Sequence, residues 1–118
     1  MRFSLLFLSL ALSFAPLALA AAAKETHPFG VRDLVAFDRI SEPKVSPDGL
    51  HVVFTVSALD WEANKRRSDL WIVGTDGTGL RKLTQHEAAD TSAVFARDGK
   101  AIYFLSTRSG SAQVFTLP

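Results

Sequence analysis

The 118-residue chain contains no cysteine. Disulfides, thiolate nucleophiles and cysteine-ligated zinc are therefore excluded. An excess charge of one sign is also missing, since 13 Lys+Arg stand against 12 Asp+Glu for a formal net charge of +1. Without a basic excess to neutralise phosphates, we expect no nucleic-acid partner. The three histidines (His27, His51 and His86) are too scattered to predict a metal cluster, so neither a metal nor another cofactor is expected.

Long hydrophobic runs are lacking except at the amino terminus. Residues 3–15 are apolar apart from three serines; they follow the positive start Met1-Arg2 and precede the helix-breaking Pro16. This three-part layout predicts a secretory signal peptide over residues 1–20. The alternative is a membrane anchor, which needs about 20 apolar residues in succession, and this run is shorter and interrupted.

Small residues at the end of that run predict where the signal is removed. Ala18-Leu19-Ala20 suits signal peptidase, so we expect cleavage after Ala20, with Ala22 or Ala23 as alternatives. The protein is then predicted to be periplasmic or secreted, with no membrane attachment after cleavage. A cysteine-free exported chain fits a bacterial periplasm.

After the signal, residues 21–42 are expected to form a polar leader and one short helix. Apolar residues recur at helical spacing from Val31 to Ile40, and Pro43 ends the pattern. Beyond that proline the chain consists of short β-branched and aromatic runs separated by turns that contain glycine. Such a pattern is typical of antiparallel β-structure.

Two of these runs are unusually apolar. Residues 52–56 and 101–105 are hydrophobic at nearly every position, which predicts strands buried on both faces. The turns beside them are well specified, because Ser46-Pro47-Asp48-Gly49 suits a type I turn and Asp76-Gly77 and Asp98-Gly99 are tight-turn dipeptides. The aspartates could suggest calcium, but each stands singly beside a glycine, so turn formation is favoured.

An internal repeat organises the strands. Three pairs of segments match in order, the first two at a spacing of 50 residues and the third at 44: Asp48-Gly49 with Asp98-Gly99, Val52-Val53-Phe54 with Ile102-Tyr103-Phe104, and Leu70-Trp71-Ile72-Val73 with Val114-Phe115-Thr116-Leu117. A period of 40–50 residues with about four strands per unit indicates a β-propeller. The alternative is chance similarity between two hairpins.

The predicted fold is all-β, with about two four-stranded antiparallel blades of an incomplete β-propeller. Blade 1 is assigned to 43–84 and blade 2 to 85–118, and the predicted strands are 43–46, 51–57, 69–74 and 80–84, then 92–96, 100–106 and 112–117. The second blade lacks a fourth strand, and a closed propeller needs about 4–8 blades. We therefore expect the chain to be a fragment of a longer protein.

Several segments also resemble a known family. The segments concerned are Ile40-Ser41-Glu42-Pro43 leading into Ser46-Pro47-Asp48-Gly49, an Asn-containing connector over 60–68, and Ser68-Asp69-Leu70-Trp71-Ile72-Val73. They resemble the opening propeller blades of bacterial prolyl oligopeptidase-family serine peptidases. The members they resemble are of the acylaminoacyl peptidase and dipeptidyl aminopeptidase kind. The resemblance covers about residues 30–118 and departs where Ala96-Arg97 replaces the usual Ser-Pro.

This resemblance implies an exported serine peptidase whose propeller gates the access of peptides to a hydrolase domain beyond residue 118. The alternative is a non-catalytic periplasmic propeller that binds a protein partner, since similar Ser-Pro-Asp-Gly blades occur in the propeller protein of the Tol system. The opening helix, the connector and the Leu-Trp-Ile-Val strand favour the peptidase.

Catalytic residues are not found in this stretch. No glycine has a serine two positions later, so the Gly-x-Ser-x-Gly nucleophile elbow is missing from the sequence, and no triad residue can be assigned. Lys65-Arg66-Arg67 is expected in a solvated loop. His51 and His86 are expected at the surface. Trp61, in the polar connector, is a weak candidate for contact with a partner.

Overall fold

The structure is a computed structural model that describes residues 26–118, so the predicted signal peptide over 1–20 lies outside the described residues. One helix and seven strands follow in order: α1 (Val31–Ala36), β1 (Arg39–Val45), β2 (His51–Asp60), β3 (Lys65–Gly74), β4 (Arg81–Lys82), β5 (Asp90–Phe95), β6 (Ile102–Ser106) and β7 (Gln113–Leu117).

The strands form two antiparallel sheets. Sheet A has the order β1-β2-β3-β4, and sheet B has the order β5-β6-β7. Each sheet is a meander, as expected when short turns join consecutive strands. The all-β prediction is confirmed, including a first unit of four strands and a second unit of three.

The amino-terminal helix is shorter than the predicted one. It ends at Ala36 rather than near Ile40. Arg39 and Ile40 instead begin β1, where they pair with Ser57 and Val56 of the neighbouring strand. The helical spacing of apolar residues continued for only about one turn beyond Ala36. Pairing with β2 therefore decides the conformation of this segment.

The connector between the second and third strands is also different from the prediction. β2 and β3 pair over their full length, from His51 with Gly74 to Asp60 with Lys65, which leaves a turn at 61–64. Lys65-Arg66-Arg67 is consequently part of a strand, and the prediction of a solvated loop is wrong. The Asp60 carboxylate stabilises the turn, since it accepts hydrogen bonds from the Ala63 N–H and, at 2.7 Å, from Arg67 Nε.

The last strand of sheet A is reduced to two residues, Arg81 and Lys82, instead of 80–84. The chain remains attached beyond it, because the Leu83 N–H donates to the Leu70 carbonyl at 2.7 Å. In return, the buried Leu70 N–H donates to Thr84 Oγ1 at 3.0 Å. A threonine side chain thus replaces a regular strand pair at this position.

The hydrophobic core lies between the two sheets. Its buried side chains come from β2, β3, β5 and β6: Val53, Leu70, Ile72, Ala93, Ile102 and Phe104. Burial in β6 alternates strictly, however, and Tyr103 and Leu105 are exposed. The expectation that this strand is buried on both faces is therefore not met within residues 26–118, because sheet B is covered on one face only.

Candidate functional site

A groove of about 930 Å³ opens between the two sheets. Its floor is apolar and includes Ile72, Leu83 and Ile102, while polar turn residues such as Asp48 and Asp76 form its rim. The groove brings together turns from both repeats.

The aspartates on this rim act as turn acceptors. Asp48 accepts hydrogen bonds from the Ser46 hydroxyl and the Leu50 N–H, and the Ser46 hydrogen bond is the main reason that the pKa of Asp48 is lowered. The Thr78 N–H donates to the Asp76 carboxylate, and this hydrogen bond is the main reason that the pKa of Asp76 is lowered. Over residues 26–118 no group of three or more His, Cys, Asp or Glu could hold a metal ion.

Two backbone irregularities at equivalent repeat positions join the sheets. Glu42 in β1 and Ser92 in β5 both have left-handed backbone, with φ of 53° and 55°. The strand register shifts at each of them. The Glu42 carboxylate accepts the Ser92 N–H at 2.9 Å and the Ser92 hydroxyl at 3.1 Å. Strained backbone at a residue other than glycine persists only where surrounding contacts stabilise it. Here the hydrogen bonds between Glu42 and Ser92 stabilise the two bulges against each other.

The electrostatics of Glu42 follow from this contact. The hydrogen bond from the Ser92 N–H is the largest cause that lowers the pKa of Glu42, and the hydroxyls of Ser92 and Thr55 add to the effect. The sequence did not predict this pair. A repeat of 50 residues makes positions 42 and 92 equivalent, but equivalence alone does not predict that the two residues are in contact.

An ion pair between a buried carboxylate and an exposed arginine lies at the other end of sheet B. Asp90 is fully buried at the start of β5, and its Oδ2 accepts a 2.8 Å hydrogen bond from Arg108 Nη2. The Arg108 guanidinium also lies over the rings of Phe104 and Phe115, at 5.4 and 5.0 Å from their centroids. Stacking of this kind favours Arg over Lys. The pair thus connects the start of β5 to the loop between β6 and β7.

Arginine contacts also attach α1 to sheet A. The Arg66 guanidinium donates to the carbonyls of Val35, Phe37 and Ser57 at 2.7 to 3.2 Å, so the end of the helix is fastened to the β2–β3 hairpin. Trp61 at the hairpin turn is 53% exposed, with the Arg32 guanidinium 5.4 Å from its ring centroid. The predicted partner contact of Trp61 remains a prediction.

The three histidines lie in different segments of the chain. His51 and His86 are exposed, and His86 Nδ1 accepts a hydrogen bond from the Ala88 N–H in the loop before β5. His27 lies 3.4 Å from Asp33 at the start of α1. Within the described part of the chain, no helix is both long and apolar enough to cross a membrane.

Two repeated antiparallel sheets that pack face to face, with β1 and β5 adjacent, define part of a β-propeller. Comparison with protein families supplies the specific assignment, since residues 31–118 match the TolB β-propeller domain, PD40. The chain belongs to this family.

Curated relatives with similar sequences include peptidases and a Tol protein. The chain is 36% identical over 80 residues to dipeptidyl-peptidase 5 of Porphyromonas gingivalis and 29% identical over 80 residues to the uncharacterized peptidase YuxL of Bacillus subtilis, each match covering 68% of this chain and 12% of the relative. It is 49% identical over 47 residues to the Tol-Pal system protein TolB of Anaeromyxobacter dehalogenans, which covers 40% of this chain and 9% of that protein. The chain thus spans only a small part of the length of these relatives.

Proposed function

We propose that this chain forms the first two blades of the propeller in an exported serine peptidase. In that protein the propeller restricts the entry of peptides to a hydrolase domain encoded beyond residue 118. The observation that carries the proposal is similarity to relatives named as peptidases, which extends over 68% of this chain and over only 12% of each relative. The blades themselves position no nucleophile, which suits a role in access rather than in bond cleavage.

Export is the second part of the proposal. It is supported by the charged start, the apolar run and the Ala18-Leu19-Ala20 pattern at the amino terminus. Fusing residues 1–30 to an alkaline phosphatase that is active only after export tests it. We expect active enzyme with an amino terminus at residue 21, whereas an inactive cytoplasmic fusion would contradict export.

The peptidase assignment is tested in the genomic reading frame. We expect the frame to continue past Pro118 into a hydrolase domain with a Gly-x-Ser-x-Gly elbow. The full-length product should cleave short peptides, and replacing the elbow serine with alanine should abolish that cleavage. A continued frame with further blades and no elbow would contradict the peptidase proposal.

A second candidate function is a non-catalytic propeller that binds a protein partner. It is favoured by the 49% identity to the TolB protein over 47 residues, which is higher than the identity to either peptidase but covers less of the chain. This alternative predicts four or more further blades and no hydrolase domain, so the same reading frame distinguishes the two.

A further inference from the structure

The first strand of each sheet has one edge without a neighbouring strand. β1 and β5 stand at one end of their strand orders, so among residues 26–118 no strand is hydrogen-bonded to their second edge. Sheet B approaches sheet A through β5, which contacts β1, β2 and β3. Blades fan outward from the axis of a propeller, so strands at which neighbouring sheets approach each other lie on the inner side, next to the central channel. We call these the inner edges of β1 and β5.

The inner edges stay free in a longer propeller. Blades pack on one another through the faces of their sheets, and the ring of blades surrounds the channel. Further blades would therefore cover sheet faces and leave the inner edges towards the channel. A free edge presents unpaired N–H and C=O groups, and it can hydrogen-bond to any extended peptide that reaches it.

Both inner edges are interrupted near the middle of the strand. The register of each strand shifts once, and Glu42 and Ser92 lie within the shifted segments with φ of 53° and 55°. Pro43 follows Glu42 and has no N–H to donate. Bulges and prolines are two of the devices by which natural sheets prevent a strand from adding to an edge.

A side chain adds a third device. The Glu42 carboxylate accepts the Ser92 N–H at 2.9 Å and the Ser92 hydroxyl at 3.1 Å, and the Thr55 hydroxyl donates to the same carboxylate at 3.3 Å. The Ser92 N–H is thus occupied by a side-chain acceptor, where an incoming strand would offer a carbonyl. A charged side chain at this place also disfavours the approach of another strand.

We propose that Glu42, Pro43 and the two bulges close the inner edges of β1 and β5 to strand addition, with Glu42 controlling access to the Ser92 N–H. The partner that is excluded is an extended peptide, whose main chain would otherwise hydrogen-bond to the edge. A peptide in the channel then contacts side chains and finds no main chain to pair with at the bulges. This inference does not rest on the proposed peptidase function.

Hydrogen exchange tests the contact on which the proposal depends. In Glu42→Ala the Ser92 N–H loses its acceptor, so we expect the Ser92 amide to exchange at least tenfold faster than in the native chain. Glu62→Ala removes an exposed carboxylate at the β2–β3 turn and should leave the exchange of the Ser92 amide within twofold of native. Equal exchange in the native chain and Glu42→Ala would overturn the proposal.

A peptide probe tests whether the edge opens. The probe is a short peptide of alternating threonine and valine with a nitroxide at one end, and its position is read from the broadening of backbone amide signals. We expect the probe to broaden the amides of β1 and β5 at least fivefold more in Glu42→Ala than in the native chain. The amides of β4 and β7, at the other ends of the sheets, should be broadened equally in both chains. Equal broadening of β1 and β5 in both chains, or none in either, would overturn the proposal.

A variant of reduced stability separates opening of the edge from general destabilisation. Thr84→Val removes a buried hydrogen bond next to β4 and leaves both inner edges unaltered. With this variant we expect the probe to broaden β1 and β5 no more than in the native chain. Broadening as strong as in Glu42→Ala would mean that lower stability admits the probe, and the proposal would be wrong.

A modified probe tests whether main-chain pairing is responsible. The same peptide with every backbone nitrogen methylated cannot donate main-chain hydrogen bonds, so we expect it to leave β1 and β5 of Glu42→Ala unbroadened. Equal broadening by the two peptides would show that side-chain contacts bind the probe and would contradict the proposal.

Discussion

Glu42 and Ser92 stand 50 residues apart at equivalent positions of the repeat, and they are hydrogen-bonded to each other. The carboxylate accepts from the Ser92 N–H at 2.9 Å and from its hydroxyl at 3.1 Å. Both residues have positive φ at a strand irregularity. The contact therefore links the bulge of one sheet directly to the bulge of the next.

Replacing Glu42 with Gln tests this link. The amide keeps the shape of the side chain but removes the charge, and we expect the free energy of unfolding to fall by roughly 0.5–1 kcal/mol. Glu62→Gln is the control, because among residues 26–118 no hydrogen bond or ion pair to its carboxylate is found. Urea unfolding at one fixed protein concentration provides the measurement, and equal losses in the two variants would contradict the link.

The pH dependence of the same contact follows from its electrostatics. Because the pKa of Glu42 is lowered from 4.5 in the folded state, its contribution is complete above that value and is lost as the pH falls through the lowered pKa. We expect the stability difference between the native chain and Glu42→Gln to be constant near neutral pH and to shrink under acidic conditions. A difference that grows on acidification would contradict the sign.

Breaking the Asp90–Arg108 pair should be costly. Arg108→Ala leaves the fully buried Asp90 carboxylate without its cation, and we expect a loss of about 3 kcal/mol in thermal or urea unfolding. Arg67→Ala removes the partner of Asp60 from a pair in which both side chains are about a quarter to a third exposed, and it should change stability less than Arg108→Ala. Adding Asp90→Asn to Arg108→Ala should recover part of the loss; no recovery would mean that packing of the guanidinium on the two rings dominates.

The Thr84 hydroxyl should matter because β4 is so short. In Thr84→Val the buried Leu70 N–H loses its acceptor while the side-chain shape is kept, which should cost about 1–2 kcal/mol. Hydrogen exchange should show faster exchange at the Leu70 amide. Thr107→Val, at an exposed threonine, serves as the control and should leave that amide unchanged.

Arg66 should control the attachment of α1. A helix of six residues is too short to be stable by itself, so its order depends on the contacts of Arg66 with the Val35 and Phe37 carbonyls. We expect Arg66→Ala to increase amide exchange over 31–36 at least tenfold, while the neighbouring Lys65→Ala leaves it unaltered. Unchanged protection in Arg66→Ala would show that apolar packing holds the helix.

The sequence was informative where the physical cause is local. Asp48-Gly49 and Asp98-Gly99 form turns because the carboxylates accept nearby N–H groups and the glycines adopt φ of 74° and 72°. The same argument failed for Lys65-Arg66-Arg67, where polarity suggested a loop. Pairing with β2 and the acceptors offered by α1 make that segment a strand, and neither can be seen from its own residues.

By itself, the sequence determined the β-repeat, its period and its turns, since alternation, β-branched runs and turn dipeptides depend on neighbours within a few residues. Only the tertiary structure decided that Glu42 contacts Ser92, that the buried Asp90 pairs with the exposed Arg108, and that Tyr103 and Val114 remain exposed while Val53 and Leu70 do not. These outcomes depend on which face of one sheet packs on the next. That packing is decided by contacts between residues 18 to 50 positions apart in the sequence.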